Sequence, residues 1–251
     1  MIFRRLAEHL REQNWTAIVI EFVLLVVGVF LGIQAANWNE ERLERELMRG
    51  HLAEIAQDLR TYDAVSVELN QSALLRIAAV DYIQFEAFGS HLPAELVLAS
   101  NVWKAPQTEP LSEDQLGHLM SAINLVRISV RARSGYESLI SSGRLGLLGN
   151  RDLARQINAY YGNFDDLLDT QSDVFRAFRT EGSIRQFALG ISVFDDRPAS
   201  ELVALARENP GFAAYLRSQR EWAILHYNLL QRSDEGTRAL LAAIEQELAQ
   251  S

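Results

Sequence analysis

The apolar residues of this chain form one unbroken run followed by a series of helical stripes. The run lies between two tryptophans, WTAIVIEFVLLVVGVFLGIQAANW at 15–38, and from Phe22 to Asn39 eighteen consecutive residues carry no charge. As an α-helix the segment separates Trp15 from Trp38 by about 35 Å. That spacing brackets a hydrocarbon core of about 30 Å with an aromatic anchor at each interface. A cleaved signal peptide fits less well. The run is long for one, and a cut after Ala35 or Ala36 places Ile33 or Gln34, neither small, three residues back. The pattern predicts an uncleaved anchor over 15–38, a short cytoplasmic tail over 1–14 and a domain over 39–251.

One face of this segment differs from the rest. At 100° per residue Glu21, Gly32, Ala35 and Asn39 fall within about 40° of Gly28, a small-and-polar stripe on an otherwise aliphatic helix. GVFLG, with glycines four apart, lets two helix backbones approach closely. The stripe Glu21, Gly28, Gly32 and Ala35 is therefore the expected helix–helix contact, with a second copy or another membrane protein. Glu21 also has a plainer reading, as a headgroup-level residue at the start of the span. Trp15, Asn37, Trp38, Asn39 and Glu40 are the expected interfacial anchors. The basic flanks are balanced, Arg4, Arg5 and Arg11 before the run against Arg42, Arg45 and Arg49 after it. The free amino terminus tips the orientation toward a cytoplasmic N-terminus in a bacterial inner membrane, with the larger domain periplasmic.

Beyond Trp38 the helical period continues in polar company. Met48, Leu52, Ile55, Leu59, Tyr62, Ser66 and Leu69 recur at alternating steps of four and three, a heptad stripe with Ser66 as its weak member. This predicts one helix reaching about Phe88. Gly89–Pro110 reads as loop because Pro93, Pro106 and Pro110 interrupt any long helix, with AELVLA at 94–99 as a short helical piece. A helix starts at Leu111–Asp114 and continues through Leu116, Leu119, Ile123 and Val126. Another, YESLISSG, is capped by Gly143, and GRLGLLGN makes a tight connection. Asn150 reads as the N-cap of a helix carried by Leu153, Ile157, Tyr161 and on to Phe175, with Gly182, Gly190 and the DDRP turn at 195–198 ending the section. SELVALAREN is a short helix, and Asn209–Pro210 opens the last one as cap and first-turn proline. No sustained two-residue alternation appears, so the fold class is all-α: one transmembrane helix continuing into a bundle of four to six helices.

Composition narrows the function. With 251 residues and a net charge of −9 the chain lacks the basic stripe of a nucleic-acid binder, and no nucleic acid is expected as partner. There is no cysteine, which removes disulfides, thiolate metal sites and cysteine nucleophiles. His9, His51, His91, His118 and His226 are scattered without metal-ligand spacing, and His226 reads as a core histidine. The pairs Glu113/His118 and Glu221/His226 are five apart, which is wrong for a di-iron bundle. Asp165, Asp166 and Asp169 read as a solvated helix face, and Asp195–Asp196 as a turn. No nucleophile elbow or phosphate loop is present, so no enzyme and no cofactor is expected.

Two stretches together carry a resemblance. Glu21–Arg42 contains GVFLGIQAANWNEER, with the acid, the glycines, Gln34 and the NWNE tetrapeptide in order; 136–161 reads YESLISSGRLGLLGNRDLARQINAYY. Together they resemble an uncharacterised bacterial family of single-pass membrane proteins, a domain of unknown function. The resemblance implies an N-terminal anchor followed by a helical extracytoplasmic domain, and supplies no catalytic residue. The leading expectation is a non-enzymatic scaffold or complex subunit in the bilayer. The alternative is a small-ligand sensor domain signalling through a partner, whose mark would be a buried polar pocket around Arg127, Arg131 or Arg133.

Overall fold

A computed structural model describes residues 15–98, 101–127, 132–170 and 176–250. The described residues form an all-α protein with one small hairpin, and the chain divides into two compact units, Met1–Gly50 and His51–Ser251. The first element, α1, is a helix over Trp15–Phe88.

In the first unit every described side chain from Val19 to Leu47 is exposed, including the aliphatic run. This part of α1 is long and apolar enough to cross a membrane, and none of its apolar stretch is buried.

The second unit is organised around an antiparallel pair, the 51–88 part of α1 and the last helix, α8 (Pro210–Gln250). Direct contacts fix the direction: Arg60 meets Glu245 at 2.6 Å, Asp63 meets Arg238 at 3.1 Å, Asn70 meets Asp234 at 2.6 Å and Asp81 meets Arg220 at 2.6 Å. Rising numbers on one helix pair with falling numbers on the other. The heptad stripe is the buried face of this part of α1: Leu52, Ile55, Leu59, Tyr62, Ser66 and Leu69 are all buried, and Tyr62 and Leu69 pack with Leu230 of α8. Each such aliphatic side chain contributes about 1.5–3 kcal/mol on burial. The helix ends where the sequence indicates: Gly89 turns at φ 65° and its N–H reaches the Phe85 carbonyl at 2.8 Å. Arg207 closes the same end, donating from Nε to the Ala87 carbonyl at 2.9 Å and from Nη2 to that of Glu86. A cation on the last carbonyls of a helix also complements its dipole.

Between the two long helices the chain is cut finer than the pattern suggests. Strands β1 (Glu95–Leu98) and β2 (Asn101–Lys104) form an antiparallel hairpin in place of the expected short helix at 94–99. Tertiary packing outweighs local preference here. Leu96 pairs with Trp103, and Trp103 buries against Ile77, Ala223 and Ile224, with the Arg232 guanidinium over its ring at 4.5 Å. A lone strand pair is stable only with such support.

The 111–126 pattern gives two short helices, α2 (Glu113–Leu116) and α3 (Leu119–Asn124), broken at Gly117–His118. Helix α4 (Ser134–Ser141) leads through Gly143, at φ 69°, into a 3-10 turn at Arg144–Leu147. Asn150 then caps α5 (Arg151–Thr170), its Oδ1 accepting from Leu153 N–H at 3.1 Å. The expected continuation to Phe175 falls outside the described residues. Gly182 does not end a helix: it lies buried within α6 (Arg176–Ala188), because the Tyr215 ring packs where a side chain would stand. The stop comes at Gly190, φ 71°, whose N–H meets the Phe187 carbonyl at 3.0 Å. Helix α7 (Ala199–Glu208) precedes α8, capped as its sequence indicates by Asn209 Oδ1 accepting from Phe212 N–H at 3.0 Å. Gly236 leaves α8 unbroken. The short helices raise the total among the described residues above the expected four to six.

Candidate functional site

The residues singled out from sequence for the anchor all lie on the first-unit part of α1. Glu21, Gly28, Gly32 and Ala35 are exposed, and a methyl group built on Gly28 or Gly32 meets no atom within 4 Å. Asn37, Trp38, Asn39 and Glu40 follow on the same helix, also exposed; the side chain of Trp15 lies outside the described residues. Asn39 Oδ1 accepts from Arg42 Nη2 at 3.5 Å, and Arg42 pairs with Glu46 at 3.3 Å. An exposed pair of this kind contributes well under about 1 kcal/mol, so these residues are free for other contacts.

Inside the second unit is a polar constellation that the sequence reading does not single out. Arg76, only 4% exposed, donates from Nε to the Ile123 carbonyl at 3.2 Å and from Nη2 to Gln219 Oε1 at 3.3 Å. Beside it Tyr215 donates its hydroxyl to Asn124 Oδ1 at 2.6 Å, Asn124 Nδ2 donates to the Val193 carbonyl at 2.9 Å, and Gln186 Nε2 donates to both Asn124 and Tyr215. Burial pushes the Tyr215 phenol well above its ordinary range, so it stays a donor. These groups tie α3, α6 and α8 together and satisfy one another, as buried polar atoms must. The sequence does hold a signal: the heptad steps continue past Leu69 to Ala73, Arg76, Val80 and Ile83, so Arg76 stands at a core position.

A second cluster joins the ends of the 136–161 segment. Tyr136 and Tyr161 stack with centroids 4.0 Å apart and planes 11° apart. Arg133 lies 5.8 Å from both ring centroids and grips Asp165 with two bonds, 2.5 and 3.3 Å. Asp58 of α1 accepts from Ser134 Oγ and Gly135 N–H at the start of α4, each at 3.3 Å. A carboxylate suits the donor-rich N-terminus of a helix. These contacts hold α4 and α5 to α1.

The third feature is a cleft of about 690 Å³ along α1, walled by the 108–111 loop and by Leu125 and Arg127. Arg127 is exposed and pairs with Glu68 at 2.9 Å. Arg131 lies outside the described residues, and Arg133 belongs to the tyrosine cluster instead. Of the two described positions at which a buried polar pocket is expected, Arg127 therefore lies at the cleft and Arg133 in the tyrosine cluster.

The remaining sequence candidates fall into structural roles. Asp165 is held by Arg133; the side chains of Asp166 and Asp169 lie outside the described residues. Asp195 accepts from Arg197 Nε at 2.8 Å and from the Ser192 and Arg197 amides, which makes it the knot of the DDRP turn. The Arg197 guanidinium holds its carboxyl below the usual range. His226 is buried in α8. Among the described residues no three His, Asp or Glu side chains gather as a metal site. Comparison of the chain with protein-family models, curated proteins and solved structures gives no match.

Proposed function

We propose that this protein is a single-pass membrane protein whose helical domain works, without catalysis, through contacts with other proteins. The observation that carries the reading is the wholly exposed apolar stretch of α1. Left in water, its uncovered Phe, Leu, Ile and Val side chains would cost on the order of 25 cal/mol for every Å² of apolar surface. A bilayer removes that cost, with Trp15, Trp38 and the Asn37–Glu40 group at the headgroup levels. Glu21, Gly28, Gly32 and Ala35 would then face a second copy or a membrane-protein partner. The resemblance of Glu21–Arg42 and 136–161 to a family of single-pass bacterial proteins supports the same reading, with the domain on the periplasmic side.

Reporter fusions after Ser251 in a bacterial host test it. Alkaline phosphatase activity together with a dark green fluorescent fusion is the expected result. A bright fluorescent fusion with inactive phosphatase overturns the orientation. Recovery of the chain in the soluble fraction overturns the anchor itself.

A further inference from the structure

We infer that the cleft along α1 is a binding site for a small organic cation, an amine carried on an apolar body. Its volume, about 690 Å³, lies in the range of small-molecule pockets. The floor is apolar: Leu74, Leu75 and Ala78 from α1, with Leu111 and Leu125 at the sides. These leucines are partly exposed, so an apolar ligand body gains by covering them.

The charges decide which head group fits. Arg127 and Glu68 neutralise each other at 2.9 Å. Glu109, exposed on the wall, has no hydrogen bond or ion pair among the described residues. The cleft therefore presents one uncompensated negative charge beside an apolar floor. A ligand body laid over the leucines brings its head group beside that carboxylate, where an anion meets repulsion and an ammonium group makes a charge-assisted pair.

The wall that carries Glu109 is also fixed in place. Pro106 and Pro110 restrict the loop, and the Ser112–Gln115 capping box pins its end, with bonds of 2.9 and 3.3 Å. A stiff loop loses little backbone freedom when a ligand arrives.

The site is independent of whether α1 crosses a bilayer. The test is a calorimetric titration of the full chain in lipid nanodiscs with 2-phenylethylamine and, separately, 3-phenylpropionate, each corrected with empty nanodiscs. The amine is expected to bind saturably in the millimolar range or tighter, and the anion not to bind. Glu109→Gln is expected to weaken the amine roughly tenfold. Arg127→Gln, which frees Glu68, is expected to strengthen it, a change that general damage to the cleft would not produce. Unchanged melting of both variants shows that they fold. Absence of saturable amine binding, equal binding by Glu109→Gln, or tighter binding of the anion overturns the proposal.

Discussion

Gly135 packs against the backbone of Ile55 so closely that a methyl group added to it would lie 2.6 Å from the Ile55 amide nitrogen and 2.9 Å from Glu54 Cβ. Backbone cannot yield as the tip of a long side chain can. Gly135→Ala is therefore expected to destabilise the domain by about 1–3 kcal/mol, as overpacking does. Gly146→Ala, where the added atom meets nothing within 4 Å, is the control and should change stability by less than about 0.5 kcal/mol. Urea unfolding of the two variants checks the contrast.

The part-buried pair Asp81–Arg220 sets a pH dependence. Burial raises the Asp81 carboxyl above its ordinary 3.8, and Arg220 offsets this only in part. Between 3.8 and the higher folded value the native chain holds more protons here than the unfolded chain, so this group's contribution to stability falls as pH rises through that interval. Unfolding midpoints of the wild type and Asp81→Asn across acidic pH should show a wild-type advantage that shrinks with rising pH. Asp81→Ala leaves the Arg220 guanidinium with the Pro93 carbonyl at 2.9 Å and is expected to cost about 3–5 kcal/mol at neutral pH.

Much of the fold is legible from the sequence because its signals are local. Asn150 and Asn209 act as caps, Gly89 ends the first helix, and the stripe through Leu52, Ile55 and Leu59 is the core face. What fails is what depends on distant partners. AELVLA becomes a strand because Trp103 finds a pocket on α8, and Gly182 stays inside a helix because Tyr215 needs its space. The constellation of Arg76, Asn124, Gln186, Gln219 and Tyr215 comes from four separate helices. None of those residues has a neighbour in sequence that announces it, although Arg76 keeps the heptad step. The cleft is likewise invisible along the chain, since Glu109 sits in a loop and the leucines it serves lie on α1.

Tyr215 offers a spectroscopic readout. Burial pushes its phenol well above the ordinary range, so it should remain un-ionised while the chain stays folded. Absorbance of phenolate against pH should therefore stop short of full ionisation until the chain unfolds. Because the folded value is raised, this group's contribution to stability is lost as pH rises from about 10 upward. Tyr215→Phe removes the donor to Asn124 and is expected to cost about 1–3 kcal/mol.

The stripe on the anchor gives a prediction in which association and folding separate. At Gly32 an added Cβ meets nothing within 4 Å beyond its own helix, so with Gly32→Ile the melting of the helical domain should not move. Self-association of the anchor, read by a transmembrane two-hybrid reporter or by cross-linking in membranes, should drop several-fold. Unchanged association would remove Gly28 and Gly32 from the contact.

The antiparallel seam also bears on how the protein is made. Arg60 and its partner Glu245 stand 185 positions apart, and Tyr62 and Leu69 of the stripe pack with Leu230 of α8. At roughly 5–20 residues per second the growing chain carries that part of the stripe without α8 for about ten seconds or longer. During that interval the nascent polypeptide offers a greasy ridge to its surroundings, and the emergence of α8 is what covers it.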